Sequence, residues 1–118
     1  MTILTHISVQ GGQVKKATLE VLSRCRELAQ QNGGTVAAAI IAPDARQHVE
    51  TVQQYGAQTI YCVSDPIFKN PLNAPMLAAL EAVTTQARPD VVTFASSEAV
   101  KDILGALSAR LGAPALPD

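Results

Sequence analysis

Apolar and polar positions along this chain follow two different periods, and each change of period marks a new element. Thr2 to Val9 is rich in Ile, Val and Thr and reads as a strand, which Gly11-Gly12 breaks. From Val14 to about Gln31, the residues Val14, Thr18, Val21, Leu22, Cys25, Leu28 and Ala29 recur at helical spacing. Lys15, Lys16, Glu20, Arg24, Glu27 and Gln31 fall on the opposite face. Gly33-Gly34 then supplies the left-handed residue that ends a helix. Thr35 to Ala42 is almost wholly apolar, as a parallel strand covered on both faces should be, and Pro43 stops it.

Asp44 is a good N-cap with Gln47 three residues on, the spacing of a capping box. Val49 and Val52 give a short helix a narrow apolar face before Gly56 ends it. Thr59 to Val63 is the third strand and places Cys62 on a core element. Ser64 to Asn73 is irregular, with Pro66 and Pro71 in it. Asn73 suits a cap and Pro75 suits a first helical turn, ahead of a buried stripe of Met76, Leu77, Leu80, Val83 and Ala87. Pro89 separates that helix from a strand over Asp90 to Ala95. A last helix, about Glu98 to Leu111, buries Val100, Ile103, Leu104, Leu107 and Leu111 before Gly112 and Pro114.

Four strands alternating with four helices predict an α/β fold: a three-layer αβα sandwich with a mainly parallel sheet, its crossovers right-handed. Composition agrees. Aromatics make up only 3% of the 118 residues against 47% apolar residues overall, so the core must be aliphatic. A net charge of −1 leaves no basic footprint for nucleic acid. No apolar run approaches the ~18 residues of a membrane span, and no charged-then-apolar leader is visible, so a bacterial cytoplasmic location is expected. Cys25 and Cys62 are far apart and outside any C-x-x-C pair, which reads as two reduced, buried thiols.

The candidate chemistry is sparse. The turns at the carboxyl ends of the strands share one edge, where a small-molecule site would lie. Gly11-Gly12-Gln13-Val14-Lys15-Lys16 lacks the spacing of a phosphate loop and reads as a strand-to-helix turn with solvated lysines. Ser96 and Ser97 precede a helix. Their hydroxyls suit its cap, and the exposed amides with Lys101 nearby suit an anion or cofactor. Neither serine lies in G-x-S-x-G. His6 and His48 are not paired with a nucleophile and read as packed or surface residues. His6, Cys25, His48 and Cys62 show no metal-ligand spacing. Asp65 reads as a turn residue and Asp102 as a first-turn helix residue. No catalytic set emerges, which counts against an enzyme.

Three segments in order carry a resemblance. They are Gln13-Val14-Lys15-Lys16-Ala17-Thr18-Leu19-Glu20 before a long helix, Gly56-Ala57-Gln58-Thr59-Ile60-Tyr61 leading to Asp65, and Pro89-Asp90-Val91-Val92 through Lys101-Asp102 to Ala109-Arg110-Leu111-Gly112. Together they resemble the N-terminal domain of the alpha subunit of electron-transfer flavoproteins. The resemblance implies a nucleotide-binding type of fold, Rossmann-like and related to the adenine nucleotide alpha hydrolases. It implies a beta subunit as partner in a heterodimer, with FAD held chiefly by a second, C-terminal alpha domain. It also implies that the whole complex carries electrons from flavin dehydrogenases to a membrane quinone reductase or another acceptor.

Residues 1–118 are then expected to form a single N-terminal domain. The chain stops at Asp118 after a loop, so the FAD-binding domain is expected to be absent and no flavin to be bound to this fragment. Val100 stands where the family commonly has Gly before the Lys/Arg-Asp pair, which bears on how closely a partner backbone approaches there. Ala95 keeps the small residue common before the hydroxyl pair. The competing expectation is a free-standing nucleotide-binding module of the universal-stress type. Against it, Ser96-Ser97-Glu98 has no glycine and places a negative charge where a phosphate would sit.

Overall fold

The computed structural model describes residues 2–69 and 73–94. Strand β1 spans Thr2–Ile7, followed by two short strands, β2 at Val9–Gln10 and β3 at Gln13–Val14. Helix α1 (Lys16–Asn32) leads to β4 (Thr35–Ala42). A 3-10 turn at Ala45–His48 runs into α2 (Val49–Gln54), then β5 (Thr59–Ser64). A second 3-10 turn at Pro66–Lys69 precedes α3 (Asn73–Ala87) and β6 (Val91–Thr93).

The main sheet has the order β5-β4-β1-β6 with every pairing parallel, and β2–β3 form a separate antiparallel hairpin. Strand alternation sends Ile3 and Ile7 to one face, where they meet Leu22, Cys25 and Ala29 of α1 and Val52 of α2. Leu4, Ala37 and Ala39 point to the other face, against Val83 of α3, and Ile41 meets Leu77 and Leu80. Helices thus cover both faces in three layers, as the patterning predicts. The starts of the two neighbouring strands are clamped together. The Asp90 carboxylate accepts from the Thr2 amide at 2.8 Å while the Asp90 amide donates to the Thr2 carbonyl at 2.8 Å, which aligns the starts of β1 and β6.

Several expectations change. The first strand stops at Ile7 and not at Val9, because the Gly11-Gly12 turn folds Val9–Val14 back into the hairpin. Val14 is therefore a strand residue, and α1 begins at Lys16. Leu28 is 51% exposed instead of buried, since the row Thr18, Leu22, Cys25, Ala29 already covers the sheet and leaves Leu28 on the flank. The capping box does not form. Asp44 makes no side-chain cap bond, the Gln47 side chain bonds His48, and the Ala45 amide donates instead to Ser64 Oγ of the adjacent strand at 2.9 Å. Cys62 is exposed rather than buried, because β5 is an edge strand of the described sheet. Gly33 does end α1 as expected, with φ +68 and its amide on the Ala29 carbonyl. Asp65 is the expected turn residue, its Oδ1 accepting from the Ile67 amide at 3.0 Å. The last predicted helix, Glu98 to Leu111, lies outside the described residues.

Candidate functional site

From β1 the chain adds β4 and β5 on one side and then returns to add β6 on the other, with all four strands parallel. The crevice beyond the carboxyl ends of β1 and β6 is therefore the topological switch point, the place where open α/β sheets bind ligands. The described residues bring to this edge the end of β1, the end of β6 with Phe94, and the β2–β3 hairpin.

The hairpin accounts for the glycine pair. Gly11 and Gly12 have φ of +60 and +77, the left-handed values that a two-residue hairpin turn requires at both central positions. A Cβ added at either would meet nothing within 4 Å, so turn conformation and not close approach demands glycine. The Lys15 amide donates to the Ser8 carbonyl at 2.9 Å, closing the base of the hairpin, and the Lys15 carbonyl accepts from Thr18 Oγ1 at 2.7 Å. The pair thus serves a hairpin, where the sequence reads as a direct strand-to-helix turn. Among the described residues no glycine-rich cradle for a dinucleotide phosphate is formed at this turn.

Beneath this edge the two faces of β1 carry different polar groups. Toward α1, Thr5 Oγ1 and Thr93 Oγ1 lie 2.6 Å apart, and Cys25 Sγ is 3.3 Å from the first and 3.4 Å from the second. This triangle satisfies three buried or half-buried polar side chains against one another, so the Cys25 thiol is held as a structural group. Toward α3, His6 is 4% exposed, paired in register with Ala39, and packed on Phe94 with ring centroids 5.7 Å apart. Among the described residues, neither Nδ1 nor Nε2 has a hydrogen-bond partner. Burial pushes the imidazole pKa down to about 4, so the ring is neutral at pH 7. A general base needs a partner that orients it, and His6 has none among the described residues. His48 is also buried, its Nε2 accepting from Gln47 Nε2 at 3.2 Å. Both histidines are packed residues, one of the two readings the sequence allows.

Metal chemistry finds no support in this part of the chain: among the described residues no group of three His, Cys, Asp or Glu side chains gathers to hold an ion. No described helix is long and apolar enough to cross a membrane. Ser96, Ser97 and Lys101, the candidates for an anion or cofactor contact, lie outside the described residues, as does Asp102. The orphaned state of His6 was not legible beforehand, since a histidine in a strand signals burial only through its apolar neighbours.

Comparison with known proteins places this geometry. The family model for the electron transfer flavoprotein domain matches residues 3–118. The alpha subunit of the electron transfer flavoprotein from Thermoanaerobacterium thermosaccharolyticum is 22% identical over 102 residues, covering 86% of this chain and 31% of that protein. Protein FixB from Azorhizobium caulinodans is 28% identical over 112 residues, covering 92% and 30%. Protein FixB from Rhizobium meliloti is 26% identical over 113 residues, covering 92% and 32%. The chain spans about a third of the length of these relatives. Among solved structures, a protein of the universal stress protein family from Burkholderia pseudomallei superposes with a TM-score of 0.56 at 11% identity, covering 98% of this chain and 94% of that one. That likeness is one of fold: a parallel, Rossmann-like α/β sandwich. With the family model matched from the first strand to the last residue, the chain belongs to the electron transfer flavoprotein domain family.

Proposed function

We propose that this chain is the scaffold and docking domain of an electron-transfer flavoprotein alpha subunit. In this reading it is one part of a heterodimeric, FAD-containing carrier that takes electrons from flavin dehydrogenases to a quinone reductase or another acceptor. The observation that carries the reading is the family match over residues 3–118. The site chemistry supports it. The switch-point edge is occupied by a hairpin, the Cys25 thiol is tied into a hydroxyl triangle, and His6 is neutral and unpaired. These are features of a layer that supports neighbours, not of a catalyst. Residues 1–118 then act as one N-terminal domain in the cytoplasm, with the flavin bound by a part of the alpha subunit beyond this chain and the beta subunit as the direct partner. Ser96, Ser97 and Lys101, which lie outside the described residues, stay in this reading as candidates for an anion or cofactor contact secondary to the docking role.

The test is co-purification with a beta subunit and the remainder of the alpha subunit supplied as a separate chain. The expected result is a stable complex containing all three polypeptides. The alternative, a free-standing nucleotide-binding module of the universal-stress type, has the shared fold on its side. Micromolar binding of ATP or AMP by calorimetry, with no complex formed, overturns the scaffold reading in its favour.

A further inference from the structure

At the amino edge of the sheet, opposite the switch point, a cleft of about 350 Å³ opens between the carboxyl ends of α1 and α2. Arg26, Gln30, Gln53, Gln54, Gly56 and Gln58 line it, and no Asp or Glu is among the described residues of its wall. We propose that this cleft binds a small organic acid through its carboxylate, with Arg26 and Gln58 as the recognition pair.

Two donors are placed there by independent means. The stem of Arg26 lies across the bare face of Gly56, whose φ is +112. A methyl group on Gly56 would overlap Arg26 Cδ and come within 2.9 Å of its Cγ. Glycine at this position therefore seats the arginine, whereas the sequence shows only a helix end. The exposed guanidinium beyond that stem makes no ion pair among the described residues. Gln58 is clamped at two points on Val36: its Oε1 accepts from the Val36 amide at 3.0 Å, and its own amide donates to the Val36 carbonyl at 2.9 Å. The side-chain oxygen is thereby committed, which leaves the Nε2 hydrogens as the free half of the group.

A guanidinium fork and an amide N–H pair match the two oxygens of a carboxylate. The flanking Gln30, Gln53 and Gln54 add neutral groups that donate or accept toward the rest of a ligand. A phosphate is the poorer match. The cleft holds one cation, and the helix carbonyl ends nearest it oppose negative charge, so the Arg26 guanidinium engages one singly charged carboxylate group at a time, while a phosphate, with its charge on one centre, is opposed more strongly. The volume lies near the lower end of the roughly 300–1,000 Å³ common for ligand pockets, which sets the ligand as a small acid. The proposal is independent of the scaffold reading, and neither stands or falls with the other.

Titration of the ¹⁵N-labelled chain with sodium succinate tests it, with sodium chloride and sodium phosphate as comparators at matched ionic strength. Saturable shifts of the Gln58 side-chain amide and the Gly56 backbone amide with succinate are expected. Arg26→Ala and Gln58→Glu should each weaken binding by at least about tenfold, the effect of losing a charge-assisted hydrogen bond. Both positions are exposed, and Gln58→Glu keeps the acceptor for the Val36 amide, so circular dichroism should show both variants folded. Equal shifts with chloride, tighter binding of phosphate than of succinate, or succinate shifts unchanged in Arg26→Ala each overturn the proposal.

Discussion

Acid should loosen this domain through one residue, His6. Its imidazole is 4% exposed, leaves both ring nitrogens unpartnered among the described residues, and has its pKa pushed by burial from 6.5 to about 4. Above pH 6.5 the ring is neutral in both the folded and unfolded chain, and it contributes no pH dependence. As pH falls below 6.5 the unfolded chain takes up the proton first, so the folded state loses stability until it too is protonated near pH 4. A displacement of 6.5 − 4 = 2.5 units at ~1.36 kcal/mol per unit gives a loss of about 3 kcal/mol across that window. Against a typical domain stability of about 5–15 kcal/mol this is a large fraction.

The control is His6→Leu, which replaces the ring by an apolar group on the same face as Leu4. At pH 7 it should be neutral or stabilising, since it removes two orphaned polar atoms at ~1–3 kcal/mol each before any packing loss. Urea unfolding of both proteins at several pH values reads the difference directly, because carboxylates common to both cancel. The wild type should lose about 3 kcal/mol relative to the variant between pH 7 and pH 4. Parallel stability curves over that range, or a His6 titration near 6.5 by NMR, would refute the reasoning.

Other consequences are nearer to hand. Leu22 is fully buried between α1 and the sheet, so Leu22→Ala should cost ~2–5 kcal/mol, seen as a lower urea midpoint at unchanged slope; a loss below about 1 kcal/mol would mean the α1 layer is not packed as described. Thiol labelling should separate the cysteines, with exposed Cys62 reacting in the native protein and buried Cys25 only after denaturation. The Cys62 rate should still be rising at pH 9, because partial desolvation by its neighbours, even at this exposed position, lifts its pKa above the ordinary 9.0 despite the opposing charge of Arg46. Two equally reactive thiols under native conditions would contradict the Thr5–Cys25–Thr93 packing.

What the sequence discloses here is what short-range physics decides. The apolar run of β4, the stripe of α3 and the glycine ending α1 follow from local periodicity and backbone freedom, and they stand where the pattern puts them. The hairpin escapes because strands of two residues have no period to detect. The capping box at Asp44 fails because Ser64, distant in sequence, reaches the Ala45 amide. Burial of Cys62 turns on strand order, which places β5 at an edge, and no spacing in the chain encodes that order. The site suffers most. Gly56 looks like no more than a helix stop until the fold lays the Arg26 stem across it.

The central claim is that this α/β layer supports a flavin carrier without holding the flavin itself. The direct measurement is the visible absorbance of the purified chain after incubation with excess FAD and gel filtration. A colourless protein that acquires the flavin spectrum only within a complex containing the rest of the alpha subunit and a beta subunit is the predicted result. A chain that emerges yellow on its own, with one FAD per polypeptide, would contradict it.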